Sequence, residues 1–491
     1  MKRAVIIGGG IGGLSAAVRL AAAGWSVTIL EQQKTLGGKL QKIQLDEFSF
    51  DRGPSTITMR HAFQSVFAAA GRQMEDYVEF VPIKEGTRNV FPDGSIVDVN
   101  ADLAFMEEQI AAFSYKDSRA LRPFMRESER LYRLADNYFM NRLLLSWRDK
   151  TNPLLLKALL QVRPLLTLDR LLRRYFTHPH TLALFGRYAT YVGSDPRRAP
   201  SIFAMLPYLE AVLGVYSVKG GTYSIVDGLR RLAEELGVHI HTMTRAKRII
   251  VSGDRASGVE TENAIHHADI VVANGDVLSI TQELLDNRYR PSAFRQEQAV
   301  DKYEPSLSGF VLLAGTKRQY DLLRHHTVFY PDEYGSEFED IFVRKRPPRE
   351  PAIYVCWSGR TEAGMAPEGG SNLFILVNAP YCTEELQWNE VGEAYAGRTA
   401  EQLERRGLHG LSKDMIASSR YTPEQLRKDT SAYRGAIYGI SSNSPSQTFA
   451  RPSNRSHLKG LWFVGGTTHP GGGTPLVALS GRLVAEAILN S

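Results

Sequence analysis

Six residues near the start of the chain, Gly8-Gly9-Gly10-Ile11-Gly12-Gly13, constrain its fold more than any other feature. They follow a short β-branched run, Ala4 to Ile7, and precede Leu14 to Ala23, which has helical spacing and good helix formers. The expected order is strand, glycine turn, helix. Gly8 permits the tight turn, Gly10 lets the backbone approach a pyrophosphate, and Gly13 lets helix and strand pack closely. The helix N-terminus, with Ile11 and Gly12, presents unpaired amides to the phosphates, so no basic side chain is needed there. Gly24 ends the helix, and Ser26 to Leu30 form a second strand closed by Glu31. A carboxylate at that position grips ribose hydroxyls and repels a 2′-phosphate, which disfavours NADP. The pattern predicts a Rossmann-type dinucleotide site and leaves FAD and NAD open.

Distant segments repeat this grammar. Val218 to Tyr223 lead into an amphipathic run to Leu236, capped by Gly237. Val238 to Val251 alternate as strands do, and Ala268 to Asn274 read as a buried strand. Leu461 to Val464 form a last strand, followed by the loop Gly465-Gly466-Thr467-Thr468-His469-Pro470-Gly471-Gly472-Gly473 and a helix that opens on Thr474-Pro475-Leu476-Val477 and runs to Leu489. Such a helix aims amides at negative charge developing on a bound ring system.

At 491 residues the chain is too long for one core, so two domains are expected. With 43% hydrophobic and 23% charged residues it reads as globular, neither fibrous nor disordered. Only Cys356 and Cys382 are present, at no disulfide or zinc spacing, which fits a reducing compartment. Met1-Lys2-Arg3 runs straight into a strand, and no stretch of about 18 apolar residues occurs, so neither export nor a spanning helix is expected.

Leu36-Gly37-Gly38-Lys39 and Phe50-Asp51-Arg52-Gly53-Pro54-Ser55 resemble the signature of the flavoprotein group that includes amine oxidases, protoporphyrinogen oxidase and carotenoid desaturases. The resemblance implies FAD as cofactor, with Gly38, Lys39, Gly53, Pro54 and Ser55 along its ribityl and isoalloxazine parts and backbone near Ala246 at the adenine. Together with Thr468 to Pro475, Tyr191-Val192-Gly193-Ser194, Gly214 to Gly221 and Arg434 to Gly439, these motifs resemble bacterial carotenoid desaturases, most closely the branch that oxidises terminal methyl groups of C30 carotenoids. The implied fold is α/β. Residues 1–75, 218–285 and 455–491 would build a discontinuous FAD-binding domain, carrying Gly465, Gly466, Pro475, Leu476 and Val477 against the cofactor. Residues 76–217 and 286–454 would form an inserted α+β substrate domain. The implied activity is oxidation of a terminal methyl to an aldehyde, with carotenoid desaturation as the alternative. A flavin amine oxidase and a silent FAD-binding scaffold are more remote.

Between Phe139 and Phe176, Arg142, Arg148, Lys150, Lys157, Arg163, Arg170, Arg173 and Arg174 face only Asp149 and Asp169. Leu154 to Val162 carry a narrow polar stripe, and Leu165, Leu168, Leu171 and Leu172 set a second apolar face, with Trp147 nearby. On composition alone these are core helices with solvated basic edges or helices lying in a membrane interface. The resemblance favours the second, placing the protein in the cytoplasm and peripherally on the inner face of the cell membrane, beside its carotenoid substrate. Leucine rather than stacking aromatics accompanies the charges, so nucleic acid is not expected. The pairs His178 and His180, His239 and His241, His266 and His267, and His325 and His326 lack a third ligand at sensible spacing, so no metal is expected. His469 is the one acid/base candidate, with a structural hydrogen bond to backbone as the alternative.

Overall fold

The computed structural model describes residues 1–145, 149, 151–295 and 301–491. Arg148, Lys150 and Trp147 lie outside the described residues.

Five parallel strands form the sheet that carries the glycine motif: β1 (Arg3–Ile7), β2 (Ser26–Leu30), β3 (His239–His241), β4 (Ile270–Asn274) and β5 (Leu461–Val464), in the spatial order β5-β4-β1-β2-β3. Alternation along each strand gives the sheet two buried faces. Ala4, Ile6, Val272 and Trp462 pack on three helices, α1 (Ile11–Ala22), α2 (Ser224–Glu235) and α3 (Thr474–Leu489). Val5, Val271, Ala273, Leu461 and Phe463 meet a three-stranded sheet formed by Arg248–Ser252, Arg255–Glu260 and Ile265–His267.

The alternation from Val238 to Val251 yields two short strands, β3 and Arg248–Ser252. After β3 the backbone leaves the sheet: Met243 takes φ +52°, and the amides of Met243 and Thr244 donate to the carbonyls of Gln33 and Glu31 at 3.0 and 2.8 Å. That detour delivers Ala246 to the end of β2.

A seven-stranded sheet lies beyond, in the order Met415–Tyr421, Ser308–Thr316, Ser371–Ala379, Ile353–Trp357, His326–Phe329, Thr87–Val90, Ile96–Val99. One face, with Phe310, Leu312, Val355 and Ile375, packs on the helix Trp388–Arg405. The opposite face, with Val311, Tyr354, Phe374 and Leu376, fronts a cavity. The third wall is helical and built around Tyr115–Ala135, whose N-cap Ser114 accepts from the Asp117 amide.

The two leucine-rich segments part company. Helix Pro153–Gln161 starts cleanly, with Pro153 in its first turn and the Asn152 side chain accepting from the amides of Leu154 and Leu155. It buries Leu155 and Ala158 but leaves Leu154, Leu156 and Leu160 exposed. In the second segment only Leu165 faces outward. Leu168, Leu171 and Leu172 sit in the helical core, so the expectation of a second outward apolar face is corrected there. Among the described residues, no helix is long and apolar enough to cross a membrane.

Candidate active site

Both glycine loops end in helices whose first turns have no side-chain cap and no acidic residue: α1 starts from Gly10 and α3 from Gly473. Their leading amides therefore await an external acceptor. Both N-termini face one cavity of about 730 Å³. Its wall includes Gly8, Gly10, Ile11, Glu31, Gly38, Lys39, Gly53, Pro54, Ser55, Ala246, Gly465, Gly466, His469, Pro475, Leu476 and Val477. Segments from the start, middle and end of the chain thus line one cavity.

Gly12 and Gly13 are the exceptions, because they stand behind the wall. A Cβ on Gly13 would lie 2.3 Å from the Gly8 carbonyl oxygen, and one on Gly12 would lie 2.8 Å from Asn274 Oδ1. Their need for glycine is packing between α1, β1 and β4. The sequence reading missed Asn274, whose Nδ2 donates to the Gly8 carbonyl at 2.9 Å and locks the turn, which takes φ +92° at Gly8.

Glu31 is buried at the end of β2. Its Oε2 accepts from the Gly9 amide and its Oε1 from the Gln33 amide, each at 2.8 Å. Burial raises its pKa, and those amides oppose the rise. At the other end of the glycine loop, Lys39 Nζ donates to the Ala436 carbonyl at 3.4 Å and to that of Ile437. Burial brings its ammonium down to about 8 against the pull of Asp276.

Ser55 is tied to the seven-stranded sheet. Its Oγ lies 2.7 Å from the Tyr354 hydroxyl, which lies 2.7 Å from His326 Nδ1. His326 is fully buried, its Nε2 has no partner, and burial lowers its pKa to about 3, so the ring is neutral. The register pairs His326 with Cys356, and donor atoms of His325, His326 and Cys356 fall within 4.8 Å. The third donor missing from the sequence spacing is thus supplied across strands. Burial holds the Cys356 thiol up at about 12, while His325 Nδ1 engages Thr361 Oγ1 at 2.8 Å. The thiol is protonated, and each ring is engaged through its Nδ1, His325 by Thr361 and His326 by Tyr354. The remaining histidine pairs stay near the surface, with the His178 ring tilted against Phe113 and the His180 ring edge-on to it.

His469 Nε2 lies 2.7 Å from the Phe139 carbonyl oxygen, which makes that nitrogen the donor. Burial lowers its pKa, so the neutral ring pins the C-terminal loop to the helical wall.

Residues 11–489 match the family model described as flavin containing amine oxidoreductase. The chain belongs to that family. It is therefore an FAD-dependent oxidoreductase. Among curated proteins, 4,4'-diapolycopene oxygenase from Methylomonas sp. is 34% identical over 492 residues, covering 99% of this chain and 98% of its own. The 4,4'-diaponeurosporene oxygenase of Staphylococcus aureus (strain MRSA252) is 31% identical over 494 residues, with the same coverage. Among solved structures, an oxidoreductase from Methanosarcina mazei superposes with a TM-score of 0.68 at 15% identity, covering 99% of this chain and all of its own. Putrescine oxidase bound to putrescine gives 0.65 at 13% identity, covering 100% and 99%. These two likenesses establish the fold.

Proposed function

We propose that the chain is an FAD-dependent carotenoid oxidoreductase that converts the terminal methyl group of a C30 polyene to an aldehyde. One observation carries this reading. A single cavity joins two uncapped helix N-termini, suited to a dinucleotide, to an apolar chamber walled by leucine, phenylalanine and methionine side chains. The full-length likeness to two carotenoid oxygenases supports the same substrate class.

The residues present fit FAD. The amides at Gly10 and Ile11 would take the pyrophosphate, Glu31 the ribose, and the backbone at Ala246 the adenine. Gly38, Lys39, Gly53, Pro54 and Ser55 would face Gly465, Gly466, Pro475, Leu476 and Val477 across the remainder. Gly12 and Gly13 would support the site from behind. This division follows the three chain segments 1–75, 218–285 and 455–491, with the rest of the chain as the substrate domain. Bound FAD would supply a two-electron acceptor, so the four-electron conversion of methyl to aldehyde takes two oxidations, with the aldehyde oxygen coming from dioxygen or water.

The chain's own contribution is positioning. Phe139, Leu155, Leu159, Phe203 and Phe374 line the chamber and exclude water, so a polyene end is held without competing solvent. His469 fixes the loop before α3, and Tyr354 fixes the loop at Ser55.

Entry is proposed from a membrane surface. Leu156 lines the cavity and is also 45% exposed, among the outward leucines Leu154, Leu160 and Leu165 and the exposed cations Lys157, Arg170 and Arg174. An apolar patch rimmed by basic residues suits an anionic bilayer interface, from which a lipid-dissolved polyene needs no passage through water. Expression in cells that make a C30 polyene hydrocarbon tests the reading: the pigment should gain oxygen at its end. A pigment that loses only hydrogens would instead establish desaturation.

A further inference from the structure

Among the described residues, five cations line the cavity: Lys39, Arg52, Arg187, Arg245 and Arg451. Four of them face a carboxylate. Arg52 lies 3.4 Å from Asp429, Arg187 3.1 Å from Glu210 and Arg245 3.5 Å from Glu283, and Lys39 feels the charge of Asp276. Arg451 differs. Its Nη2 donates to Ser442 Oγ at 3.1 Å and to the Ile440 carbonyl at 3.4 Å, and its Nη1 donates to the Gly466 carbonyl at 3.4 Å. All three acceptors are neutral, and among the described residues no carboxylate forms an ion pair with it. Burial brings its pKa down to about 10, which still leaves it charged near neutral pH. The side chain is partly exposed although its charged end is enclosed by protein, so the open surface it keeps belongs to the cavity.

Arg451 stands beside the loop that leads into α3. A Cβ on Gly471 of that loop would lie 3.7 Å from its Nε. Burial chiefly, and the charge of Arg451 in addition, lower the pKa of His469 in the same loop. The first turn of α3 carries no acid, so the positive end of the helix dipole adds to the cation there. Phe449, two residues before Arg451, packs on Phe139 of the apolar chamber with ring centroids 5.7 Å apart. The unbalanced charge is thus placed where the glycine loops meet the chamber.

A buried charge with no counter-charge is costly to fold. A polyene brings no charge that could offset it. A flavin does so on reduction, because its ring accepts two electrons with one proton and ends one unit more negative. In a closed site of low dielectric, that charge and a neighbouring cation attract far more strongly than in water.

We infer that Arg451 is the counter-charge of the reduced flavin ring. By favouring the anionic reduced form, it strengthens the flavin as an electron acceptor. This inference deepens the function proposed above and rests on its placement of the flavin ring against the α3 loop. Arg451 acts on the charge of the cofactor, whereas His469 fixes the loop.

The test uses the full-length FAD-loaded protein and no polyene, so its outcome is independent of the substrate. The midpoint potential of the two-electron flavin couple is measured by equilibration with reference dyes between pH 6 and 8, for the wild type, Arg451→Met and Arg451→Lys. The wild type should lie above free FAD in the same buffer and fall by about 30 mV per pH unit, the slope of one proton taken up per two electrons. Arg451→Met should shift the equilibrium toward oxidised flavin about tenfold, a fall of about 30 mV, and its slope should steepen toward about 59 mV per pH unit at the acid end as the reduced ring takes a second proton. Arg451→Lys should restore most of the potential. Flavin retained on purification should stay within twofold of the wild type in both variants.

An Arg451→Met equilibrium within twofold of the wild type overturns the inference. An equal fall in Arg451→Lys also overturns it, because loss of loop geometry and not of charge would then be the cause. Loss of flavin from Arg451→Met at unchanged potential overturns it and assigns the cation to the pyrophosphate. A wild-type potential at or below that of free FAD overturns it even if Arg451→Met fails to fold. A wild type without flavin absorbance overturns the placement of the cofactor with it.

Discussion

Replacing Leu154, Leu160 and Leu165 together by serine should detach the protein from bilayers without unfolding it. These side chains are 60%, 76% and 83% exposed, so they contribute little to the core. Fully burying a leucine is worth about 1.5–3 kcal/mol. Scaled by the exposed fraction, each contributes about 1–2 kcal/mol on entering the interface, and the three together about 4 kcal/mol. Partition onto vesicles should therefore fall by about three orders of magnitude. The assay is flotation with anionic vesicles, run beside a denaturant melt expected to move by no more than about 0.5 kcal/mol. Because Lys157, Arg170 and Arg174 remain, some residual binding should persist at low salt and disappear as salt screens it. A triple variant that floats like the wild type within threefold would refute the assignment of this patch to a membrane surface.

Glu337 offers a stability test. It is fully buried and accepts from the Ala352 amide at 2.8 Å and from Asn378 Nδ2 at 2.6 Å, and burial raises its pKa to about 7. A carboxyl whose folded pKa exceeds its unfolded 4.5 leaves the fold at full strength below pH 4.5 and weakens it as pH rises through 7. The loss amounts to about 3 kcal/mol. Glu337→Gln should remove that pH dependence, because a flipped Asn378 amide can accept from the new Nε2; denaturant melts at pH 5 and 8 that retain the wild-type slope would contradict this. Gly13→Ala should destabilise by about 1–3 kcal/mol and lower flavin content on purification, since its methyl meets the Gly8 carbonyl. Normal flavin content in that variant would argue against the tight packing of α1 on β1. Tyr354→Phe removes hydrogen bonds to Ser55 and His326; it should cost about 1–2 kcal/mol in thermal unfolding and lower the amount of flavin retained on purification.

How much of this was legible from the chain depends on the range of the contacts involved. The turn at Gly8 to Gly13 and the position of Glu31 follow from local geometry, and the sequence located them. Gly12 was assigned to the cofactor, yet its constraint comes from Asn274 Oδ1, contributed by a strand far along the chain. Hydrophobic periodicity identified apolar faces between residues 154 and 172. It could not distinguish Leu168, Leu171 and Leu172, which meet core, from Leu154, Leu160 and Leu165, which meet solvent. Period reports that a face is apolar and is silent about what covers it. The links Ser55–Tyr354–His326 and Arg187–Glu210 depend on partners brought together by sheet register and helix packing, and no local spacing announces them.

The most direct test of the account is the visible spectrum of the purified protein under anaerobic conditions. It should show flavin absorbance near roughly 450 nm that bleaches on adding a C30 polyene and persists on adding putrescine. Bleaching by the amine with none by the polyene would contradict the central claim.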